Sequence, residues 1–157
     1  MGIRKIRTEG DEILRKISKP VTEMTPRTKA LIRDMFDTMY KADGVGLAAP
    51  QVGILKRIFV IDCTADRSLP RVFINPEILE TEGEQTGSEG CLSVPGKHAT
   101  VTRPMKVKVH ALDENMEEFM LTLEELEARC VLHENDHLDG ILYVDKAEGP
   151  VVDNEEE

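Results

Sequence analysis

The segment "CVLHENDHLDG", residues 130–140, constrains this chain more than any other: His133 and His137 stand four residues apart, with Glu134 directly after the first. On an α-helix, positions i and i+4 share a face, so both imidazoles reach one ion while the glutamate beside them can take a proton from water. A catalytic site of this type uses three protein ligands, so the fold must carry one more to this helix from elsewhere. The alternative is a helix whose histidines only hydrogen-bond in a core, but the glutamate at this spacing argues for metal.

The chain that must supply the ligand has 157 residues, enough for one domain with a core that needs no disulfides. Residues 1–150 are expected to form a single catalytic domain, and "VVDNEEE", 151–157, a disordered acidic tail. A formal charge of -10 gives no global attraction to nucleic acid or anionic membrane, so no specific DNA partner and no membrane partner are expected. The start "MGIRKIRTEGDEILRKI" has charges where a signal peptide needs apolar residues, and no run approaches transmembrane length. Both point to the cytoplasm. Three cysteines in a reducing compartment argue against a disulfide framework and leave each thiol free for packing, catalysis or metal.

In "TPRTKALIRDMFDTMYKADG", Thr25 offers an N-cap and Pro26 a first helical residue, and Leu31, Ile32, Met35, Phe36, Met39 and Tyr40 make an apolar seam. That predicts a helix ending before Gly44. "KRIFVID" and "RVFINPEI" read as strands. "MKVKVHAL" alternates Met105, Val107, Val109 and Ala111 with Lys106, Lys108 and His110, which points His110 away from the core. "MEEFMLTL" follows a turn at "DEN" as its hairpin partner, and Thr122 with Glu125 reads as a capping box opening the histidine helix toward Gly140. Without regular strand–helix alternation the class is α+β: mainly antiparallel sheets packed around a central helix carrying HExxH.

Several residues compete to be the third ligand. A histidine six beyond His137 would complete one protease pattern, but Tyr143 stands there. A glutamate from a later helix is disfavoured, because only Glu148 and the terminal glutamates follow, around Pro150. His110 lies on a solvated strand face, His98 reads as an isolated loop histidine, and Cys63 ends an apolar strand. Cys130, one turn before His133, suits packing or the lining of a pocket. Cys91 is preferred, because in the loop "SEGCLSVPG" Gly90 allows close backbone approach and Pro95 and Gly96 bend the chain. Packing at a turn is the commoner fate of such a cysteine.

Three stretches, "GVGLAAPQ" (44–51), "EGCLS" (89–93) and "HENDH" (133–137), together make the chain resemble the peptide deformylase family, in that family's order. The likeness extends to "IRTEGDEILRKISKPV" and "TRPMKVKVHALDENM" and covers the chain to about Asp145. It implies a metal-dependent hydrolase that removes the formyl group from the initiator methionine of nascent peptides, releasing formate. By position it implies Cys91, His133 and His137 as metal ligands, Glu134 as general base and then acid, and Gln51 with the backbone N–H of Leu92 as oxyanion donors. Val45 and Gly90 would lie along the peptide, with Gly44 and Gly46 allowing close approach, and Leu126, Cys130 and the stem of Arg129 would wall a methionine pocket. The cofactor it implies is one divalent ion, Fe(2+), with Ni(2+) or Co(2+) as active replacements. Ligand types alone would have pointed to Zn(2+). A thiolate beside ferrous iron also implies oxygen sensitivity.

Leu132 and Asn135 depart from the family's usual glutamine and apolar residue, and His98 stands where some relatives carry a substrate-contacting arginine. Asp136 follows the pattern and is expected to pair with Arg103. Some relatives end in a long basic helix that docks on the ribosome. Here the end is short and acidic, so any ribosome contact is expected to be weak or independent of the tail.

Overall fold

The structure, a computed structural model, describes residues 2–154. In chain order its main elements are α1 (Pro26–Lys41), β1 (Gly46–Ala48), β2 (Ile58–Ile61), β3 (Arg71–Glu82), β4 (Gln85–Cys91), β5 (Val94–Arg103), β6 (Lys106–Leu112), β7 (Glu118–Glu124), α2 (Glu125–Leu138) and β8 (Val152–Asp153). Five strands form one sheet in the order β1-β2-β3-β6-β7, and three form another in the order β4-β5-β8. Every pairing within these sheets is antiparallel.

Strand β2 explains the layering, because all four of its residues are apolar and buried. Ile58 and Val60 pack with Leu31, Ile32, Met35 and Met39 of α1, whereas Phe59 and Ile61 pack with Ala128, Val131 and Leu138 of α2. The two helices therefore cover opposite faces of the large sheet, and each fully buried aliphatic or aromatic side chain contributes on the order of 1.5–3 kcal/mol. Thr25 caps α1 as its sequence requires, its hydroxyl accepting from the Thr28 amide at 3.1 Å, with Pro26 first in the helix. Of the apolar seam, Phe36 and Tyr40 are only partly buried.

The hairpin β6–β7 sets where α2 begins. Val107, Val109 and Ala111 face the core, while Lys106, Lys108 and His110 lie opposite Glu124, Thr122 and Met120 on the outer face. Two expectations fail here. Thr122 does not cap the helix, because its pairing with Lys108 keeps it in the strand, and the half-in residue is Glu124. Met105 precedes β6 and is exposed rather than joining the inward set. The chain turns from β7 into α2 at Glu125, whose φ of 56° is held by its amide donating to Met105 O (2.9 Å) and its carbonyl accepting from Gln85 (2.8 Å).

At the other end of α2, Gly140 has φ 76°, and a Cβ there would lie 2.5 Å from the Arg15 carbonyl oxygen. Only glycine suits both demands. Arg57 donates to the Leu138 carbonyl (3.1 Å) and pairs with Asp139 (3.0 Å), placing positive charge where the helix dipole favours it.

The expected disordered tail needs correction for part of its length. Val152 and Asp153 pair with His98 and Lys97 of β5, and Asn154 Oδ1 accepts a 2.6 Å hydrogen bond from His98 Nδ1. Residues 155–157 of that tail lie outside the described residues. His98 is correspondingly a strand residue, not a loop histidine. Among the described residues no helix is long and apolar enough to cross a membrane.

Candidate metal centre

Cys91, His133 and His137 come together, with one ligand atom from each lying within 4.8 Å of the others. Cys91 is the last residue of β4 and opens the tight connection to β5, so it is presented by a hairpin and not by a free loop. Its Sγ lies 3.4 Å from His137 Nε2 and receives the Ser93 amide at 3.4 Å. The two imidazoles project from one face of α2, 5.1 Å apart in an edge arrangement. Tyr143, at the offset where a third histidine was sought, instead stacks on His133 at 6.0 Å.

One carboxylate organises the surroundings. Glu89 Oε1 meets His133 Nδ1 at 2.8 Å, which leaves Nε2 as the ring's ligand atom. Arg103 donates to both Glu89 oxygens at 2.8 and 2.9 Å and to Asp136 at 2.8 Å, so the expected Asp136 pairing is present. Arg129 adds a 2.5 Å hydrogen bond to Glu89 and one to the Val101 carbonyl. Burial alone would raise the Glu89 carboxyl, but the Arg103 and His133 hydrogen bonds outweigh it and hold it well below the usual carboxylate range.

Glu134 is buried on the same helix, its Oε2 3.9 Å from His133 Nε2, while its Oε1 has no hydrogen-bond partner. Burial, opposed by His133 and reinforced by Glu89, pushes its carboxyl up to about 7. Burial and the neighbouring His133 and Arg103 charges hold His137 well below its usual value, in the neutral form that coordinates a metal. One thiol and two imidazoles around one point, one ring already oriented, fit a single divalent ion.

Gln51 sits in a buried 3-10 turn, Ala49–Val52, after β1. Its carbonyl oxygen accepts from the Ala48 amide (2.9 Å), and its Nε2 donates to Ser93 Oγ (2.9 Å) and lies 3.5 Å from Cys91 Sγ. That fixes the amide's donor end toward the metal cluster. A cleft of about 470 Å³ opens beside it, lined by Gly44, Val45 and Gly46 and by Gly90, Cys91 and Leu92. Leu126, Arg129, Cys130, His133 and Glu134 line it from α2. Every residue singled out from sequence for this site therefore borders the cleft except His137, which lies behind in the metal cluster.

Sequence reasoning missed Glu89, Arg103 as its clamp, and Ser93. The glutamate stands two residues before Cys91, within a stretch already singled out, and an acid so near a thiolate ligand was the available signal. Arg129 was expected as a stem along the pocket, but its guanidinium is buried against Glu89. Leu132 packs partly buried against the core shared by α2 and the large sheet, and Asn135 Oδ1 is buried without a hydrogen-bond partner.

A family model described as polypeptide deformylase matches residues 3–152. The chain is 60% identical over 153 residues to a peptide deformylase of Agathobacter rectalis, covering 98% of this chain and 95% of that protein. It is 56% identical over 145 residues to peptide deformylase 1 of Clostridium perfringens, covering 92% and 98%. Among solved structures, a peptide deformylase from Legionella pneumophila matches with a TM-score of 0.91 at 51% identity, covering 94% of this chain and 87% of that one. A peptide deformylase from Synechococcus elongatus in complex with actinonin matches at 0.88 and 46% identity, covering 92% and 78%.

Proposed function

Because this chain belongs to the polypeptide deformylase family and is a metal-dependent deformylase, we propose that it acts on the formyl-methionyl end of nascent peptides, with Fe(2+) held by Cys91, His133 and His137. The observation that carries this reading is the convergence of those three side chains, from a hairpin and a helix, beside a buried glutamate at the floor of an open cleft.

When bound, the ion supplies a Lewis acid that polarises the formyl carbonyl and makes a water more acidic. The protein's groups do the rest. Glu134 takes the proton of the attacking water and returns it to the departing amine as the C–N bond breaks, giving formate and a free α-amino group. A carboxyl near 7 is suited to both transfers at neutral pH. Gln51 Nε2 and the Leu92 N–H stabilise the negative charge that grows on the formyl oxygen, and the Ala48 and Ser93 bonds hold that amide in place before substrate arrives. Val45 and Gly90, which line the cleft together with Gly44 and Gly46, take the peptide as an added strand. Leu126, Cys130 and the Arg129 stem receive the methionine side chain.

In this reading residues 1–150 act as one catalytic domain, supported by the Arg7 amide bonding Gln51 O and the Glu9 amide bonding Ser93 O, each at 2.7 Å. The protein works in the cytoplasm, where formylated chains emerge. Any ribosome contact is weak or independent of residues 150–157; strong binding lost on their deletion would overturn this part.

The deciding experiment measures formate release from formyl-Met-Ala-Ser by anaerobically prepared protein loaded with ferrous iron, nickel, cobalt or zinc. Turnover highest with iron or nickel and lost in Glu134→Ala and Cys91→Ala is expected. Turnover that survives Cys91→Ala would remove that residue as a ligand.

A further inference from the structure

Cys63 and Cys130 are far apart in sequence, yet their sulfurs lie 3.1 Å from each other. That is about 1 Å beyond the ~2.05 Å of an S–S bond. Cys63 follows β2 and is half-buried, whereas Cys130 is buried on α2. Among the described residues that line the cleft, Cys130 is present and Cys63 is not, so Cys63 stands behind the wall that Cys130 forms. The metal takes the third cysteine, Cys91, and leaves these two thiols with no part in the reaction.

We propose that Cys63 and Cys130 form a reversible, oxidant-responsive thiol pair that reshapes the methionine side of the substrate cleft. The oxidant is hydrogen peroxide. The Cys63 thiolate attacks one peroxide oxygen, the O–O bond breaks, and Cys63 becomes a sulfenic acid while hydroxide leaves and takes up the proton that the thiol had released, giving one water. The Cys130 sulfur then attacks Cys63 sulfur, the S–O bond breaks, and hydroxide leaves with the Cys130 proton as a second water. Two thiols are oxidised by two electrons, and one peroxide is reduced to two waters.

The bond draws Cys130 sulfur toward Cys63 and away from the cleft. A gap of ~0.5–1 Å already forfeits a quarter to a half of a van der Waals contact, so the pocket grips an apolar side chain less well. Groups on the reaction path stay in place. Oxidation therefore raises KM and leaves kcat alone, an effect on peptide binding that rests on the cleft assignment above.

The test treats nickel-loaded protein with a small excess of hydrogen peroxide, quenches it, and maps tryptic peptides without reduction. Cleavage isolates Cys63 in 58–67, Cys91 in 72–97 and Cys130 in 130–146. The expected product links 58–67 to 130–146, is lighter by two hydrogen atoms than the separate peptides, and reverts with dithiothreitol. KM for formyl-Met-Ala-Ser rises roughly twofold or more at constant kcat. Cys63→Ala and Cys63→Ser proteins keep the basal kinetics and show neither change. An unlinked pair alongside oxidised 72–97, or a link that leaves KM unmoved, overturns the proposal. The peptide map does not depend on turnover, so failure of the pair is distinguishable from failure of the deformylase reading.

Discussion

Gly46 lies so close to Glu134 that a Cβ at position 46 would sit 2.5 Å from the carboxylate Oε2 and 2.9 Å from its carbon. The edge strand of the large sheet thus leaves room for the buried acid only because this residue has no side chain. Gly46→Ala should displace Glu134 by several tenths of an ångström or more. A misplacement near 1 Å costs about 10²-fold in rate, so kcat should fall to that extent while metal content is unchanged. Unaltered turnover in a well-folded Gly46→Ala protein would show that the carboxylate has freedom to relocate.

Glu89 should control both metal affinity and stability. Glu89→Gln keeps the shape but loses the charge that holds His133, Arg103 and Arg129 together, and groups orienting a metal ligand are typically worth 10–100-fold in affinity. Nickel titration against a competing chelator should show a loss of that order. Denaturant unfolding should show a loss of about 3–5 kcal/mol, because the buried Arg129 guanidinium loses its carboxylate partner and Arg103 keeps only Asp136.

The same residue sets an acid limit. Its folded pKa lies below the ordinary 4.5, so it contributes stability that is present above 4.5 and is lost as pH falls through the depressed folded value. Stability measured from pH 6 downward should decline more steeply in wild type than in Glu89→Gln. Parallel profiles would mean that other carboxylates dominate acid unfolding.

Arg67 should matter to substrate binding more than to chemistry. Its Nη1 donates to Gly44 O at 2.9 Å and Asp62 O at 3.0 Å, and its guanidinium lies 5.5 Å from the Tyr40 ring centroid. Tyr40 in turn donates to Asp62 at 2.8 Å, while the Asp62 amide donates to Val45 O at 2.9 Å. Arg67→Ala removes a tether worth roughly 1.5–3 kcal/mol from the strand edge. KM should rise about tenfold with kcat within about a factor of two, and the reverse pattern would place Arg67 in the chemical step.

Metal removal should appear as a concentration-dependent Tm. An ion that binds only the folded chain adds about 4 kcal/mol at 1,000 times its Kd. Chelation should remove that increment from wild type and change little in Cys91→Ala. Equal shifts in both proteins would point to ion binding elsewhere.

The histidine helix was legible because its signal is local: spacing at 133 and 137 fixes a face wherever the helix sits. The strand at 106–112 was legible for the same reason, through its alternation. Thr122 misled because capping residues and strand residues overlap in type, and only pairing with Lys108 decides between them. The Glu89 cluster unites residues 89, 103, 129, 133 and 136 from two strands and a helix, and no periodicity encodes such a convergence. Likewise, two residues of β8 take their order from β5, more than fifty positions earlier.

The metal ligands also have a temporal consequence. Cys91 belongs to the small sheet, whereas His133 and His137 ride on a helix packed against the large one, so the ion fastens together parts of the chain made at different times. During synthesis Cys91 emerges well before either histidine, and a lone thiol holds no such ion securely. Loading must wait until the chain has been translated through His137 and its two sheets have met. Competence therefore follows the meeting of the two sheets and cannot precede it.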